Sequence, residues 1–246
     1  MKLITWNCQG AYRKKAAAIA HARPDIAIIQ ECEAPEKLLF WKNTPLPTHQ
    51  LWVGDGKNKG VGIFSYTGLN LQLYAHHLTS IKHCIPVRVS GRFNFNLIAI
   101  WAMGHQDRKL SYIAQVFLAL ENYRDFIREQ DTVLVGDFNS NKQWDSTPRV
   151  GNHSKVVETL AAENIFSIYH EYFKEQQGEE SQNTFFMYRK RDRGFHLDYC
   201  FAPRSWVDRV KSVSVGSYEE WGKLSDHTPL SVEFSEQIGA EPNSIQ

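Results

Sequence analysis

Neither sign of charge is in excess in this sequence: 28 Lys and Arg stand against 27 Asp and Glu, a formal net charge of +1 over 246 residues. A field spread over the whole surface and drawing in polyanions is excluded, so any contact with nucleic acid has to be local. Cysteine is sparse and unclustered. Cys8, Cys32, Cys84 and Cys200 form no CxxC pair, which excludes a zinc ribbon or a dithiol redox motif and suits buried thiols in a reducing compartment. Long apolar runs are missing too. No segment approaches the roughly 18 residues of a membrane span, and MKLITWNCQG meets Trp, Asn and Gln before a signal-peptide core can form. A cytoplasmic monomer without a membrane anchor is expected. No repeat and no low-complexity tract interrupts the chain.

What is present is an ordinary core-forming composition, 42% hydrophobic and 13% aromatic, in a chain long enough for one large domain over 1–235 followed by a polar tail over 236–246. Short apolar or alternating runs predict strands at 2–6, 26–30, 61–65, 71–77, 84–89, 95–101, 132–136, 183–188, 197–201, 207–215 and 229–234. Helices are fewer. The clearest is expected over 109–129, where Leu110, Ile113, Val116, Phe117, Leu120 and Ile127 form one stripe; two more are expected near 12–22 and 154–163. Gly54 to Gly60 reads as a flexible loop. Many strands with few helices suit a layered α/β sandwich better than a strictly alternating parallel sheet.

Several of these strands end in polar chemistry. LVGDFNSN carries a β-branched apolar run into Asp137 and Asn139, KLITW runs into Asn7, and IAIIQ into Glu31. HLDYCF holds Asp198 in an apolar setting, and LSDHTPL places Asp226 and His227 just before the last strand. Each alone has a bland reading: turn formers after strands, a capping acid, a satisfied core histidine. Gathered at one end of a sheet, the carboxylates would repel one another and lose hydration unless a hard divalent cation sat among them. Oxygen ligands with one His and no thiolate cluster select Mg²⁺ or Mn²⁺ over zinc.

The segments ITWNCQG, IIQECE, GDFNSN, HLDYCF and LSDHTPL, in this order and spanning residues 4 to 230, resemble the signature blocks of the endonuclease/exonuclease/phosphatase family. The resemblance implies a DNase I-like four-layer sandwich of two packed mixed β-sheets flanked by helices, with the site where strand ends of both sheets meet. It also implies roles. Glu31 resembles the principal metal-binding carboxylate, with Asn7 and Asp226 as helpers. Asp137, held by Asn139, resembles the group that orients or deprotonates the attacking water. His227, supported by Asp198, resembles the group that stabilises the phosphoryl oxygens. These roles suit phosphodiester hydrolysis, which needs a positioned nucleophile and cationic stabilisation of the phosphoryl oxygens.

Other positions are less specific. Family members often carry Tyr or His at the end of the strand that here reads 97–103; this chain has Trp101 and Met103 there, with His105 two residues on. Trp101 reads first as a core aromatic and second as a substrate contact. His196, two residues before Asp198, shares its face by strand alternation and either reaches the site or packs. His76 and His77, adjacent in an expected strand, face opposite ways. His153 reads as local geometry at a helix start. Arg189, Lys190, Arg191 and Arg193, flanked by Phe185, Phe186 and Tyr188, form either a solvated loop or a track that neutralises phosphates and stacks a base. The expected function is a Mg²⁺- or Mn²⁺-dependent phosphoesterase acting on DNA or RNA. The rivals are a phosphatase or phospholipase-like enzyme on a small or lipid phosphoester, and a non-catalytic binding module on the same fold.

Overall fold

The computed structural model describes residues 1–38 and 44–235, and the tail expected over 236–246 lies outside them. The first half of the described chain runs β1 (Lys2–Asn7), α1 (Ala16–His21), β2 (Ile26–Cys32), α2 (Pro35–Leu38), β3 (His49–Asp55), β4 (Lys59–Ser65), β5 (Asn70–Leu73), β6 (Cys84–Ser90), β7 (Phe95–Trp101), α3 (Ile113–Asn122) and α4 (Arg124–Glu129). The second half runs β8 (Thr132–Asp137), α5 (His153–Ala162), β9 (Ile165–Ser167), α6 (Ile168–Phe173), β10 (Phe185–Phe186), β11 (Gly194–Phe195), β12 (Asp198–Pro203), α7 (Arg204–Val207), β13 (Val210–Val215), α8 (Tyr218–Trp221) and β14 (Leu230–Phe234). Among the described residues these strands form two six-stranded mixed sheets, ordered β13-β14-β1-β2-β4-β3 and β5-β6-β7-β8-β12-β9, with β10 and β11 as a separate hairpin.

Each sheet has one parallel pair, β1 with β2 and β7 with β8. These strands are covered on both faces, which is why their sequences are nearly continuous apolar runs. In β2, Ile26 and Ile28 enter the core between the sheets, whereas Ala27 and Ile29 face the cluster around α1 that includes Tyr12, Ala16 and Ile19. In β7, Leu97, Ala99 and Trp101 enter the same inter-sheet core, whereas Ile98 and Ile100 meet Val116, Leu120, Phe126 and Leu160 of α3, α4 and α5. Period-two alternation thus builds the four layers, and each fully buried Ile or Phe contributes about 1.5–3 kcal/mol.

Several local expectations are corrected. The helix expected over 109–129 is broken. Tyr112 takes the left-handed φ of 57°, Tyr123 leaves the helical region, and α3 and α4 are separate. Tyr123 is buried with its hydroxyl accepting from the Leu78 amide at 2.9 Å, a tertiary contact that periodicity cannot register. The loop expected from Gly54 to Gly60 is a tight hairpin in which Gly54 pairs with Gly60. A Cβ on either glycine would lie within 2.6 Å of the Trp52 ring, so glycine there serves close packing. The strand expected over 71–77 stops at Leu73, leaving His76 and His77 in the following turn, where His77 Nε2 lies 2.8 Å from the Lys82 carbonyl. The strand expected over 183–188 shrinks to Phe185–Phe186, because Tyr188 and Arg189 are both left-handed. Over 207–215 the chain first completes α7, and β13 begins only at Val210. Strand β3 and the short helix α6 lack a clean period and were not expected.

Candidate active site

The C-terminal ends of both parallel pairs open at one place, and three backbone features aim side chains into it. A β-bulge between Gln30 and Cys32 turns out Glu31, which has φ of 57°. Gly136, with φ of 146°, lets β8 run so close to β7 that a Cβ would sit 2.0 Å from the Ile100 carbonyl oxygen. Only glycine fits there, one residue before Asp137. Asn139, with φ of 46°, folds the chain back so that its own amide reaches Asp137. Beneath the opening, the buried Gln30 side chain donates to Thr5 Oγ1 at 2.9 Å and to the Ile100 carbonyl at 3.2 Å, tying one sheet to the other.

Asp137 is the fully buried centre. Its Oδ1 accepts from the Asn139 backbone at 2.8 Å, and its Oδ2 accepts from Asn139 Nδ2 at 3.1 Å and from Asn7 Nδ2 at 3.0 Å. The antiparallel register pairs Asp137 with Asp198 across β8 and β12. His227 completes the group: Nδ1 is 2.8 Å from Asp198 Oδ2, and Nε2 is 3.9 Å from Asp137 Oδ2. Burial pushes Asp137 up, Asp198 adds to the rise, and His227 opposes it, leaving the carboxyl at about 7. Burial pulls His227 down, but Asp198 and then Asp137 outweigh it and raise the imidazole to about 9. Asp198 and Asp137 thus favour the protonated ring, while burial favours the protonated carboxyl of Asp137.

Supports that the strand-end pattern did not reveal hold this group. Thr184 Oγ1 accepts from the Leu197 and Asp198 amides at 2.9 and 3.0 Å. Ser225 Oγ donates to the Asn7 carbonyl at 2.7 Å and accepts from the His227 amide at 3.1 Å. Trp6 Nε1 donates to the His227 carbonyl at 2.9 Å. Thr184 lies far from any motif, whereas Trp6 and Ser225 flank motif residues and that adjacency was the available signal.

The acidic groups fall into two sets. Asp137, Asp198 and His227 bring one potential ligand atom each to within 4.8 Å of one another, all buried. On the open side, Glu31 pairs with Lys59 from the β3–β4 hairpin, and Asp226 Oδ2 accepts from Gln9 Nε2 at 2.8 Å. Asn7, buried and bonded to Asp137 through its Nδ2, adds a carboxamide oxygen, and with the two carboxylates this is a donor chemistry without thiolate that fits a hard divalent cation. In the inner set the ring nitrogen and Asp198 are already matched to each other.

The other expected contacts separate. Arg189 reaches the site, donating to Gln9 Oε1 through Nε at 3.0 Å, and Phe185 lies on the His227 ring at a centroid distance of 4.8 Å. Lys190, Arg191 and Arg193 stand exposed at the tip of the β10–β11 hairpin, with Arg191 paired to Glu219 at 3.0 Å and Tyr188 76% exposed beside them. Phe186 packs on Tyr218. Trp101 is buried in the inter-sheet core against His83, and His105 is exposed on the loop beyond it. His196 precedes β12, so strand alternation does not extend back to it. Its Nδ1 lies 2.8 Å from the Gln182 carbonyl, and its ring packs among Tyr169, His170 and Tyr199. His153 opens α5, with Asn152 as its cap and its amide donating to Asp145 at 2.8 Å.

Among curated proteins no sequence matches this chain. Solved structures share its fold. A 3'-5' exonuclease, NExo, from Neisseria meningitidis superimposes with a TM-score of 0.68 at 21% identity, covering 95% of this chain and 99% of the other. The endonuclease domain of TRAS1, a telomere-specific non-LTR retrotransposon, gives 0.64 at 17% identity over 96% and 98% of the two chains. The Xenopus laevis APE2 catalytic domain gives 0.67 at 13% identity over 95% and 91%. The sequence profile of the Endonuclease/Exonuclease/phosphatase family matches residues 4–227, nearly the whole chain, and this protein belongs to that family of phosphoester-hydrolysing enzymes.

Proposed function

We propose that this protein is a Mg²⁺- or Mn²⁺-dependent phosphodiesterase that cleaves nucleic acid. The observation that carries the reading is the buried centre in which His227 Nδ1 is held 2.8 Å from Asp198 while its Nε2 lies 3.9 Å from Asp137, a carboxyl fixed by three donors. Such an arrangement supplies a base and a cation side by side at neutral pH. Asp137, with three donors fixing its oxygens, orients a water and takes its proton as the water oxygen attacks phosphorus. His227, kept in one orientation by Asp198, offers its protonated Nε2 to the phosphoryl oxygens, whose charge grows in the transition state. A divalent ion held by Glu31, Asp226 and Asn7 would add Lewis-acid stabilisation of the phosphoryl and leaving oxygens. The outer set is assigned to the ion because Asp198 already holds the His227 ring at 2.8 Å, whereas Glu31 and Asp226 present carboxylate oxygens on the open side.

Nucleic acid is favoured over a small phosphoester because the β10–β11 hairpin carries four cations and an exposed Tyr188 at the mouth of the site. The 3' phosphatase NExo from Neisseria, 22% identical, has been seen bound to a product DNA hairpin, which supports the same class of ligand. No helix of the described residues is long and apolar enough to cross a membrane, and all four thiols are free and buried, in keeping with a cytoplasmic setting. The test is a substrate panel run with Mg²⁺ and with EDTA: abasic-site duplex, single-stranded DNA, RNA, an inositol phosphate and sphingomyelin. Metal-dependent cleavage confined to the nucleic acids is expected. Turnover of only the inositol phosphate or sphingomyelin would overturn the assignment.

A further inference from the structure

Gln9 touches both sides of the site. Its Nε2 donates to Asp226 Oδ2 at 2.8 Å while its Oε1 accepts from Arg189 Nε at 3.0 Å and also from the other arm of the guanidinium. The residue is held firmly for a loop position. It is left-handed with φ of 51°, its amide donates to Asn7 Oδ1 at 3.0 Å, and Lys15 Nζ clamps the carbonyls on either side, Cys8 at 2.6 Å and Gly10 at 2.9 Å. Arg189 is tethered as well, since Tyr218 donates its hydroxyl to the Arg189 carbonyl at 2.6 Å. Backbones are thus fixed on both sides, and only the two side chains are free to change partners.

The direction of the Gln9 amide follows from donor and acceptor inventory. A guanidinium has no acceptor, so it can meet only the carbonyl end, which leaves the NH₂ end facing Asp226. There the NH₂ occupies a carboxylate oxygen that a cation would otherwise use. A phosphate offers Arg189 a charge-assisted, bidentate partner far stronger than a neutral amide. Once Arg189 turns to phosphate, the amide keeps only its NH₂ contact with Asp226, and a cation arriving at that carboxylate favours rotation by half a turn, which replaces the NH₂ with a carbonyl oxygen.

We infer that Gln9 is a positioning residue that couples engagement of a nucleic-acid phosphate by Arg189 to cation binding at Asp226. The inference rests on the metal-dependent nuclease reading above and adds to it a cooperativity between substrate and metal. By linkage the effect is reciprocal: nucleic acid tightens the cation, and the cation tightens nucleic acid by the same factor.

The experiment measures Mn²⁺ affinity by electron paramagnetic resonance, without turnover. The probe is Mn²⁺ alone, then Mn²⁺ with a DNA oligonucleotide whose bridging ester oxygens are replaced by methylene groups. In the wild type the oligonucleotide should tighten Mn²⁺ by about fivefold or more, the usual lower range for coupled sites. In Gln9→Met, which removes the amide without changing charge, that ratio should fall well below the wild-type value, leaving only the part that comes from phosphoryl oxygens meeting the cation directly. In Arg189→Met the free protein should already bind Mn²⁺ as tightly as the wild type does with oligonucleotide, whereas Arg191→Met, which removes the same charge from the same hairpin, should leave the coupling intact. Equal coupling in wild type and Gln9→Met, or no coupling in a wild type that binds both ligands, would overturn the inference. Failure of the wild type to bind Mn²⁺ or the oligonucleotide at all would instead overturn the function on which it rests.

Discussion

His227 and His196 are both almost completely buried, both precede or begin a strand near Asp198, and their chemistry is opposite. His227 sits against two carboxylates, which overcome its burial and raise it to about 9. His196 has a backbone carbonyl for its Nδ1, no partner for its Nε2 and aromatic rings around it, so burial wins and pushes it down to about 4. Burial by itself therefore says nothing about whether a histidine is a cation. The deciding quantity is the number of anionic oxygens within reach, because Coulomb attraction in a poorly solvated site can exceed the cost of leaving water. One region is arranged to hold charge and the other to exclude it.

The sharpest way to break this contrast is activity. Asp137→Asn and His227→Ala should each lower kcat by about a hundredfold or more, the lower end for losing a base or an electrostatic stabiliser. His196→Phe should leave kcat nearly unchanged while costing stability, since the Gln182 carbonyl is left without a donor, a loss of about 1–3 kcal/mol. Steady-state kinetics beside thermal melts read both. Near-normal activity in Asp137→Asn would end its catalytic assignment.

Metal linkage comes next. A cation that binds only the folded site stabilises by about 2.7 kcal/mol at a hundred times its Kd. The melting temperature should climb with Mg²⁺ in the wild type and in His196→Phe, and stay flat in Glu31→Gln. A climb of equal size in Glu31→Gln would move the ion away from the outer carboxylates.

The pH dependence sharpens the contrast further. His227 is raised above its ordinary value of 6.5, so the stability it contributes is complete below that value and is lost as pH rises through about 9. His196 is depressed below 6.5, so its contribution is present above that value and is lost as pH falls through about 4. Asp137, raised to about 7, works against the acid limb over part of the same range, so each variant is read against wild type. Denaturant melts of His227→Gln should lose the alkaline limb and those of His196→Phe the acid limb. An NMR titration showing His196 charged at pH 6 would contradict the contrast at its root.

The smallest effect belongs to the hairpin. Neutralising Lys190, Arg191 and Arg193 together should raise KM on a long polynucleotide and flatten its salt dependence by about 0.7 to 0.9 log units per lost phosphate contact, with kcat on a minimal dinucleotide ester unchanged. An unchanged slope would return these residues to the role of a solvated turn, leaving Arg189 alone of the run in contact with the site.

Motif residues and layers were legible because each is a local statement. A strand covered on both faces must be apolar throughout, so β2, β7 and β8 announce themselves, and a polar residue at the end of such a run stands out against it. That is how Asn7, Glu31, Asp137 and the Asp226–His227 pair came to notice, and the order of the blocks carried the family. Gln9 was missed although it lies within the first block, since a glutamine before glycine reads as an ordinary turn. Thr184 was missed because nothing near it in the chain marks the Asp198 amide it receives. The single helix expected over 109–129 failed at Tyr112 and at Tyr123, where the apolar stripe continues and the side chain is fixed by the core around α3 and by the distant Leu78 amide.

The central buried strands, the layered α/β class and the identity of the chemical groups were thus decided by the sequence, because backbone sterics and side-chain period act over a few residues. The protonation states were decided only by tertiary structure. Whether Asp137 is an acid at 7, whether His227 is a cation and His196 is not, and whether Arg189 rather than its neighbours reaches Gln9 all depend on groups more than a hundred residues apart in several cases being brought to within 3 or 4 Å. Electrostatic energy varies with that separation and with exclusion of water, and neither is written in the local pattern of residues.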